Sequence, residues 1–194
     1  KADWQFWKVA DAAGNTIYVG DKTSGEDAVD NGYEASRIKL AYDQAGRRYT
    51  YTYTTIDSVP RLTEVKAETR TGSDWSTPGT VTVVGKVEYS YYTSGDSAEH
   101  SPAGYLKTVT VSTPLSDPGE VLISQKHYRY YEESWADLAE RRGHPGSISM
   151  VVGFEGTRKY DWVSDAAFDD DFLTASVNSL KEYSEAFFEY ESST

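Results

Sequence analysis

The feature that most constrains this chain is an alternation of period two that runs from residue 4 to about residue 132. It is clearest in "IKLAYDQAGRRYTYTYTT", Ile38 to Thr55. Ile38, Leu40 and Tyr42 fall on one side of an extended backbone, with Lys39, Ala41 and Asp43 on the other. Beyond a short break, Tyr49, Tyr51 and Tyr53 share a side and are opposed by Thr50, Thr52 and Thr54. Side chains two apart meet on one face only in a strand, so this spacing predicts half-buried β-structure and excludes a helix. The habit recurs in "RLTEVKAETR" (61–70), "TVTVVGKVEYSYY" (80–92), "GYLKTVTVST" (104–113) and "EVLISQKHYRYYEE" (120–133). Tyr, Thr and Val are the residues that fit a pleated, half-covered surface.

Turn chemistry separates the runs. Asp43-Gln44-Ala45-Gly46 has Asp first and Gly fourth, the pattern of a type I turn closed by a residue in the left-handed region. Such a turn joins antiparallel strands as a hairpin. Asp11-Ala12-Ala13-Gly14 repeats that spacing between "FWKVA" and "TIYVG", and Asp117-Pro118-Gly119 is a looser relative. Two matching hairpins suggest a repeat.

The composition fits thin, two-faced sheets. Of 194 residues 38% are hydrophobic, and Tyr contributes 16 against 6 Phe and 5 Trp. A core short of aliphatics must use amphipathic rings, which bury area while the hydroxyl finds a partner. The length suffices for a substantial core. The net charge of -12 argues against nucleic acid and against anionic membrane surfaces, because few cations are present to replace phosphate counterions. No run of about 18 apolar residues offers a membrane-spanning helix. Cysteine is absent, which excludes disulfides, zinc–thiolate sites and thiol nucleophiles. The chain opens "KADWQFWKVAD" with no signal peptide and no initiator Met, so a processed product or a fragment of a longer chain is expected.

After residue 133 the pattern changes. Ser134-Trp135-Ala136-Asp137 reads as a capping box, Leu138 and Ala139 continue its apolar side, and Gly143 offers a stop. "SISMVV" (147–152) predicts a short strand. An acidic loop follows around Asp165 and Asp169–Asp171, then a helical window from about 174 to 186. There Val177, Leu180, Tyr183 and Phe187 recur every three or four places. The closing "FFEYES" alternates again.

Candidate chemistry is sparse. His100, His127 and His144 lie two in loops and one on a strand, with no spacing for a metal pair, and incidental surface or half-buried histidine is the preferred reading. Asp165, Asp169, Asp170 and Asp171 could hold calcium through oxygen ligands. They lack the spaced loop and its glycine, and Asp ahead of a helix is favoured by the helix dipole; a solvated, helix-leading run is preferred. No nucleophile elbow, P-loop or dinucleotide fingerprint is present, and carboxylate pairs among 31 acidic residues single out no glycosidase couple. No catalytic, cofactor-binding or metal residue is assigned, and no enzyme is expected. The stripes Tyr49/Tyr51/Tyr53 and Tyr89/Tyr91 read either as a sugar-stacking platform or as cross-strand ladders, the ladder being preferred. Trp4, Trp7 and Trp75, near loops or ends, are the better candidates for contact with a ligand, though packing is the default reading even there.

"IKLAYDQAGRRYTYTYT" resembles the YD repeat of bacterial Rhs-like and teneurin-related proteins: an alternating strand, Tyr-Asp, two variable residues, Gly-Arg, then a second alternating strand. Tyr42-Asp43 and Gly46-Arg47 occupy those places, with Arg48 where Leu is usual. "VADAAGNTIYV" keeps Asp11 and Gly14 but has Ala10 for Tyr and Asn15 for Arg. "KVEYSYYTSGDSAEHSPAGYLKTVTVSTP", "KHYRYYEESW" and "EYSEAFFEYESS" are similar to segments of long bacterial members. The resemblance implies a strip of antiparallel sheet that winds into a hollow shell, enclosing a C-terminal effector or serving as an adhesion scaffold. The autoproteolytic aspartates of such shells have no matching motif here, so no catalytic residue is carried over.

The expectation is therefore a mainly β chain: antiparallel strands in an extended YD-repeat-type sheet, with a few short helices toward the C-terminus. One domain is expected over 1–194, with a β-rich body (1–133) and a mixed strand and helix end (134–194). Ten-residue strands span ~33 Å each, so this length makes a strip and encloses no large cavity. The expected role is structural, on the bacterial surface or secreted, with self-association through open sheet edges or pairing with other segments of the same long chain, and a cell-surface or glycan partner as the further candidate. The alternative is a carbohydrate-binding module, or failing that a glycan-active enzyme. No cofactor, nucleic acid or membrane insertion is expected.

Overall fold

A computed structural model describes residues 7–10, 16–19, 33–34, 37–43, 45–71, 79–94, 102–114, 119–131, 146–164 and 177–189. Among them the chain is mainly β. The strands are β1 (Trp7–Ala10), β2 (Thr16–Val19), β3 (Tyr33–Glu34), β4 (Arg37–Ile38), β5 (Leu40–Asp43) and β6 (Arg48–Ile56). They continue as β7 (Val59–Arg70), β8 (Val81–Tyr91), β9 (Leu106–Pro114), β10 (Glu120–Tyr130), β11 (Ile148–Gly153) and β12 (Ala186–Phe187). Two short helices, α1 (Phe154–Ser164) and α2 (Val177–Leu180), and a 3₁₀ turn at Lys181–Tyr183 lie near the end.

Ten of the described strands form one sheet in the order β1-β2-β5-β6-β7-β8-β9-β10-β11-β12, while β3 and β4 pair separately. Apart from that excursion each strand lies beside its predecessor in sequence, as short connections favour. β1 and β2 pair antiparallel from Trp7↔Val19 to Ala10↔Thr16, so the runs flanking Asp11–Gly14 form the expected hairpin. β5 and β6 pair antiparallel from Leu40↔Thr50 to Tyr42↔Arg48. Ile38 to Asp43, expected as one strand, is two: β4 pairs with β3, and only β5 joins the large sheet. In β6 Thr52 and Thr54 are exposed while Tyr51 and Tyr53 are half-buried, as the alternation predicts.

The described residues pack as two compact units. The first comprises Lys1–Thr54, Leu62–Glu88 and Val111–Val121; the second comprises Thr55–Arg61, Tyr89–Thr110 and Leu122–Thr194. The first buries Ala41 and Tyr42 almost completely. The second holds an aliphatic nucleus of Met150, Val152 and Leu180, all fully buried, against which Tyr160 of α1 and Phe187 of β12 pack.

Several expectations near the C-terminus are corrected. α1 is not among the elements expected from the sequence: Phe154–Ser164 holds Gly156 and offers only Glu155 in its first turn as a helix-start signal. Gly156 is required there, because a Cβ would overlap the Tyr183 carbonyl, so a residue that weakens a helix permits its close packing. Of the helical window, the described part is helical over 177–183 and ends before Ser184; Leu180 and Tyr183 are buried as expected, and Phe187 belongs to β12. The capping box at Ser134–Asp137 lies outside the described residues.

Candidate functional site

The Tyr-Asp turn is built around one carboxylate. The Asp43 amide donates to the Arg47 carbonyl at 3.0 Å and the Gly46 amide to the Asp43 carbonyl at 3.1 Å. Gly46 has φ +78°, the left-handed closure the spacing predicts, with the added residue of a bulged hairpin. The Asp43 side chain then takes three donors: the Arg47 amide at 2.9 Å, Arg47 Nε at 2.6 Å and the Tyr49 hydroxyl at 3.1 Å. Burial alone pushes the Asp43 carboxyl upward, but the Arg47 guanidinium and amide and the Tyr49 hydroxyl outweigh it and hold the carboxyl below its usual range. Burial, and then the bond to Asp43, push the Tyr49 phenol up. Asp43 and Arg47 thus lock a turn.

The same backbone closure recurs twice in the second unit. The Tyr92 amide donates to the Tyr105 carbonyl at 2.9 Å, and the Gly104 amide to the Tyr92 carbonyl at 2.6 Å. The Tyr131 amide donates to the Ser147 carbonyl at 2.9 Å, and the Gly146 amide to the Tyr131 carbonyl at 2.8 Å. Gly104 and Gly146 have φ +81° and +80°. In each case a Tyr (Tyr42, Tyr91, Tyr130) precedes the closing residue. The intervening segments, 44–46, 93–104 and 132–146, differ so much in length that sequence spacing hides the recurrence. The readable signal is Tyr-X at a strand end and Gly two residues before the next strand.

On the first unit a polar network joins the strands. Glu68 of β7 accepts from Arg48 Nε and from the Thr50 hydroxyl of β6, each at 2.8 Å. Glu64↔Glu88 and Lys66↔Lys86 stand directly opposite across β7 and β8, a like-charge arrangement that is unfavourable by itself. It is neutralised by Lys66–Glu64 at 2.8 Å, Lys86–Glu88 at 3.1 Å and Lys86–Glu120 at 2.6 Å. The bond to Lys86 is the main cause that holds the Glu120 carboxyl below its usual range; desolvation opposes it, and the Ser112 hydroxyl adds to the lowering.

In the second unit aromatic rings meet one another. Tyr92 and Tyr130 pack edge-on with centroids 6.4 Å apart, and Tyr105 and Tyr130 at 4.9 Å. The Tyr92 hydroxyl donates to the Tyr128 carbonyl at 2.8 Å and the Tyr131 hydroxyl to the Phe188 carbonyl at 2.5 Å. Burial drives the Tyr130 phenol up to about 12, with Tyr128 and Tyr105 adding to the shift. The Arg61 guanidinium lies 5.6 Å from the Tyr91 ring centroid. The turn between β6 and β7 places Asp57 (φ 47°) and Ser58 (φ 65°) in the left-handed region. Asp57 accepts from the Ser94 amide at 3.0 Å and hydroxyl at 2.7 Å.

His127, expected at the surface or half-buried, is 1% exposed. It pairs with Val152 across β10 and β11 and so shares the face on which the aliphatic nucleus packs. His100, His144, Trp4, Trp75, Asp165, Asp169, Asp170 and Asp171 lie outside the described residues, and of Trp7 only the backbone, in β1, is described. Among the described residues no three His, Asp or Glu side chains are grouped to hold a metal ion, and no helix is long and apolar enough to cross a membrane.

No family model matches the chain, and no curated protein matches it. Among solved structures it is similar to the N-terminal domain of the effector protein SpvB from Salmonella typhimurium strain LT2. The identity is 12% and the TM-score 0.42, over 77% of this chain and 60% of that one. The chain thus spans about 60% of the length of that solved chain, and a likeness of this size carries no functional argument.

Proposed function

We propose that this chain is a structural segment of a YD-repeat-type sheet, a length of wall in a secreted or bacterial-surface protein. It serves either to enclose a C-terminal effector or to carry an adhesive surface, and it performs no catalysis of its own. The observation that carries this reading is the turn at Asp43. The two most specific residues of the motif, Asp43 and Arg47, bond each other at 2.6 Å and close a hairpin, so the motif serves construction of the sheet. The edge-on packing of Tyr92, Tyr105 and Tyr130 supports the same reading. A sugar platform needs coplanar exposed faces, whereas Tyr92 and Tyr130 are buried and meet edge-on, and of these three rings Tyr105 alone is exposed.

Two experiments test it. A glycan panel is expected to show no binding by the wild type, and none gained or lost on changing Trp4, Trp7, Trp75 or Tyr105 to Ala. Tyr105 joins that set because it is 40% exposed. Specific binding abolished by one of these changes favours the carbohydrate module instead. Open strand edges pair readily with other chains, so sedimentation across a wide concentration range is expected to show self-association; a strict monomer contradicts edge pairing.

A further inference from the structure

In the second unit each closing glycine lies beneath a side chain from an earlier part of the chain. A Cβ on Gly104 would overlap Nη2 of Arg61, on β7, and the same guanidinium lies 5.6 Å from the centroid of the Tyr91 ring. A Cβ on Gly146 would stand 2.6 Å from the Tyr105 hydroxyl, and the Tyr105 ring meets Tyr130 with centroids 4.9 Å apart. Tyr105 thus takes part in both closures. Its carbonyl accepts from the Tyr92 amide in the first. Its side chain covers the glycine of the second and packs on the residue before Tyr131. Gly46 stands apart: a Cβ there would meet nothing within 4 Å, and its closure is held locally by Asp43 and Arg47.

We propose that the closures at Gly104 and Gly146 open and shut together, as one latch, and that Tyr105 is the residue that couples them. Opening the first closure frees the Tyr105 backbone from Tyr92, and as that backbone moves the ring leaves Tyr130. Gly146, which has no side chain of its own, then loses its cover, and Tyr130 loses an edge-on partner. Opening the second closure removes the wall against which Tyr105 rests. A packed contact of this kind is either made or broken and does not deform continuously, and contiguous pieces joined in this way open as cooperative units. The Asp43 closure shares no such residue with the other two and opens by itself. The segments that the two latched closures bracket, 93–103 and 132–145, therefore have one root, and a pull on either acts on both.

Residue-resolved hydrogen exchange of the full chain under native conditions reads each closure through its own amides. These are Tyr92 and Gly104 in the first, Tyr131 and Gly146 in the second, with Asp43 and Gly46 as the separate reference. Arg61→Ala disturbs the first closure from the side of Gly104 and Tyr91. It is expected to lower protection at Tyr92, Gly104, Tyr131 and Gly146 by one common factor, about three- to tenfold, the scale of one lost guanidinium–ring contact. Asp43 and Gly46 should keep their protection. In a Tyr105→Ala background the same change should lower Tyr92 and Gly104 alone. Gly104→Ala, read in the same way, is the perturbation to use if Arg61→Ala loses its β spectrum in far-UV circular dichroism. A loss confined to the first closure in the wild-type background, or no loss at either, overturns the coupling. An equal loss at Asp43 and Gly46 overturns it too, because the chain then opens as a whole. Transmission that survives Tyr105→Ala overturns the role given to Tyr105.

Discussion

In the first unit the residue that closes the strand turn is Asp43, and its carboxylate gathers Arg47 and Tyr49. In the second unit the residues at the equivalent backbone closures are Tyr92 and Tyr131, and their hydroxyls reach distant carbonyls of Tyr128 and Phe188. The backbone geometry is the same, down to a glycine near φ +80°. What differs is the means of holding it. One unit uses charge, which is local and titrates in acid; the other uses rings, which bury area and titrate only in alkali. The lesson is that a closure of fixed backbone shape constrains its glycine far more than its partner residue.

The largest effect that separates the two comes from removing a ring. Tyr92 is 1% exposed and packs on Tyr130, so Tyr92→Ala is expected to cost about 3–5 kcal/mol in urea unfolding, the range for deleting a buried aromatic. A loss below about 1 kcal/mol contradicts the claim that rings hold this unit. Next come the glycines. Gly46 has nothing within 4 Å of a would-be Cβ, whereas a Cβ at Gly146 would stand 2.6 Å from the Tyr105 hydroxyl. Gly46→Ala should therefore cost only the left-handed backbone penalty, about 1–2 kcal/mol. Gly146→Ala should cost about 1–3 kcal/mol more, since Tyr105 must give way. Equal losses at both sites break that distinction.

Smaller still is the carboxylate clamp. Asp43→Asn is expected to lose about 1–2 kcal/mol near neutral pH, because Arg47 is half exposed and its charge is screened. Smallest is the charge grid: Lys66→Ala removes a surface pair and is expected to shift stability by a few tenths of a kcal/mol, about the scale of exposed pairs, and to lose even that in high salt. A salt-independent loss above about 1 kcal/mol would show that the grid holds the sheet together.

The sequence made the strands legible because alternation survives in each of them, and it made the Asp43 turn legible because Asp and Gly stand three apart with nothing inserted. It hid the closures at Gly104 and Gly146 behind long intervening segments. It hid α1 because Gly156, chosen for its close approach to the Tyr183 carbonyl, reads as a helix breaker. His127 was misplaced for a related reason: its neighbours "QKHYR" look polar, and only the pairing with Val152 puts it on the packed face. The tyrosine stripes were legible as stripes, but which rings meet depends on strand pairing that spacing alone cannot supply.

The measurement that tests the contrast most directly is stability against pH, from 2 to 12, for the wild type, Asp43→Asn and Tyr130→Phe. The folded Asp43 carboxyl titrates below its ordinary 3.8; its contribution is full above that value and disappears as pH falls through the lower folded one. The Tyr130 phenol is raised from 10.0 to about 12; its contribution is full below 10 and disappears as pH rises through 12. Asp43→Asn should flatten the acid limb and touch the alkaline limb only through Tyr49, whose phenol loses the part of its upward push that Asp43 supplies; Tyr130→Phe should soften the alkaline limb and leave the acid limb unchanged. If either substitution altered both limbs equally, or neither, the division of labour between carboxylate and ring would be wrong.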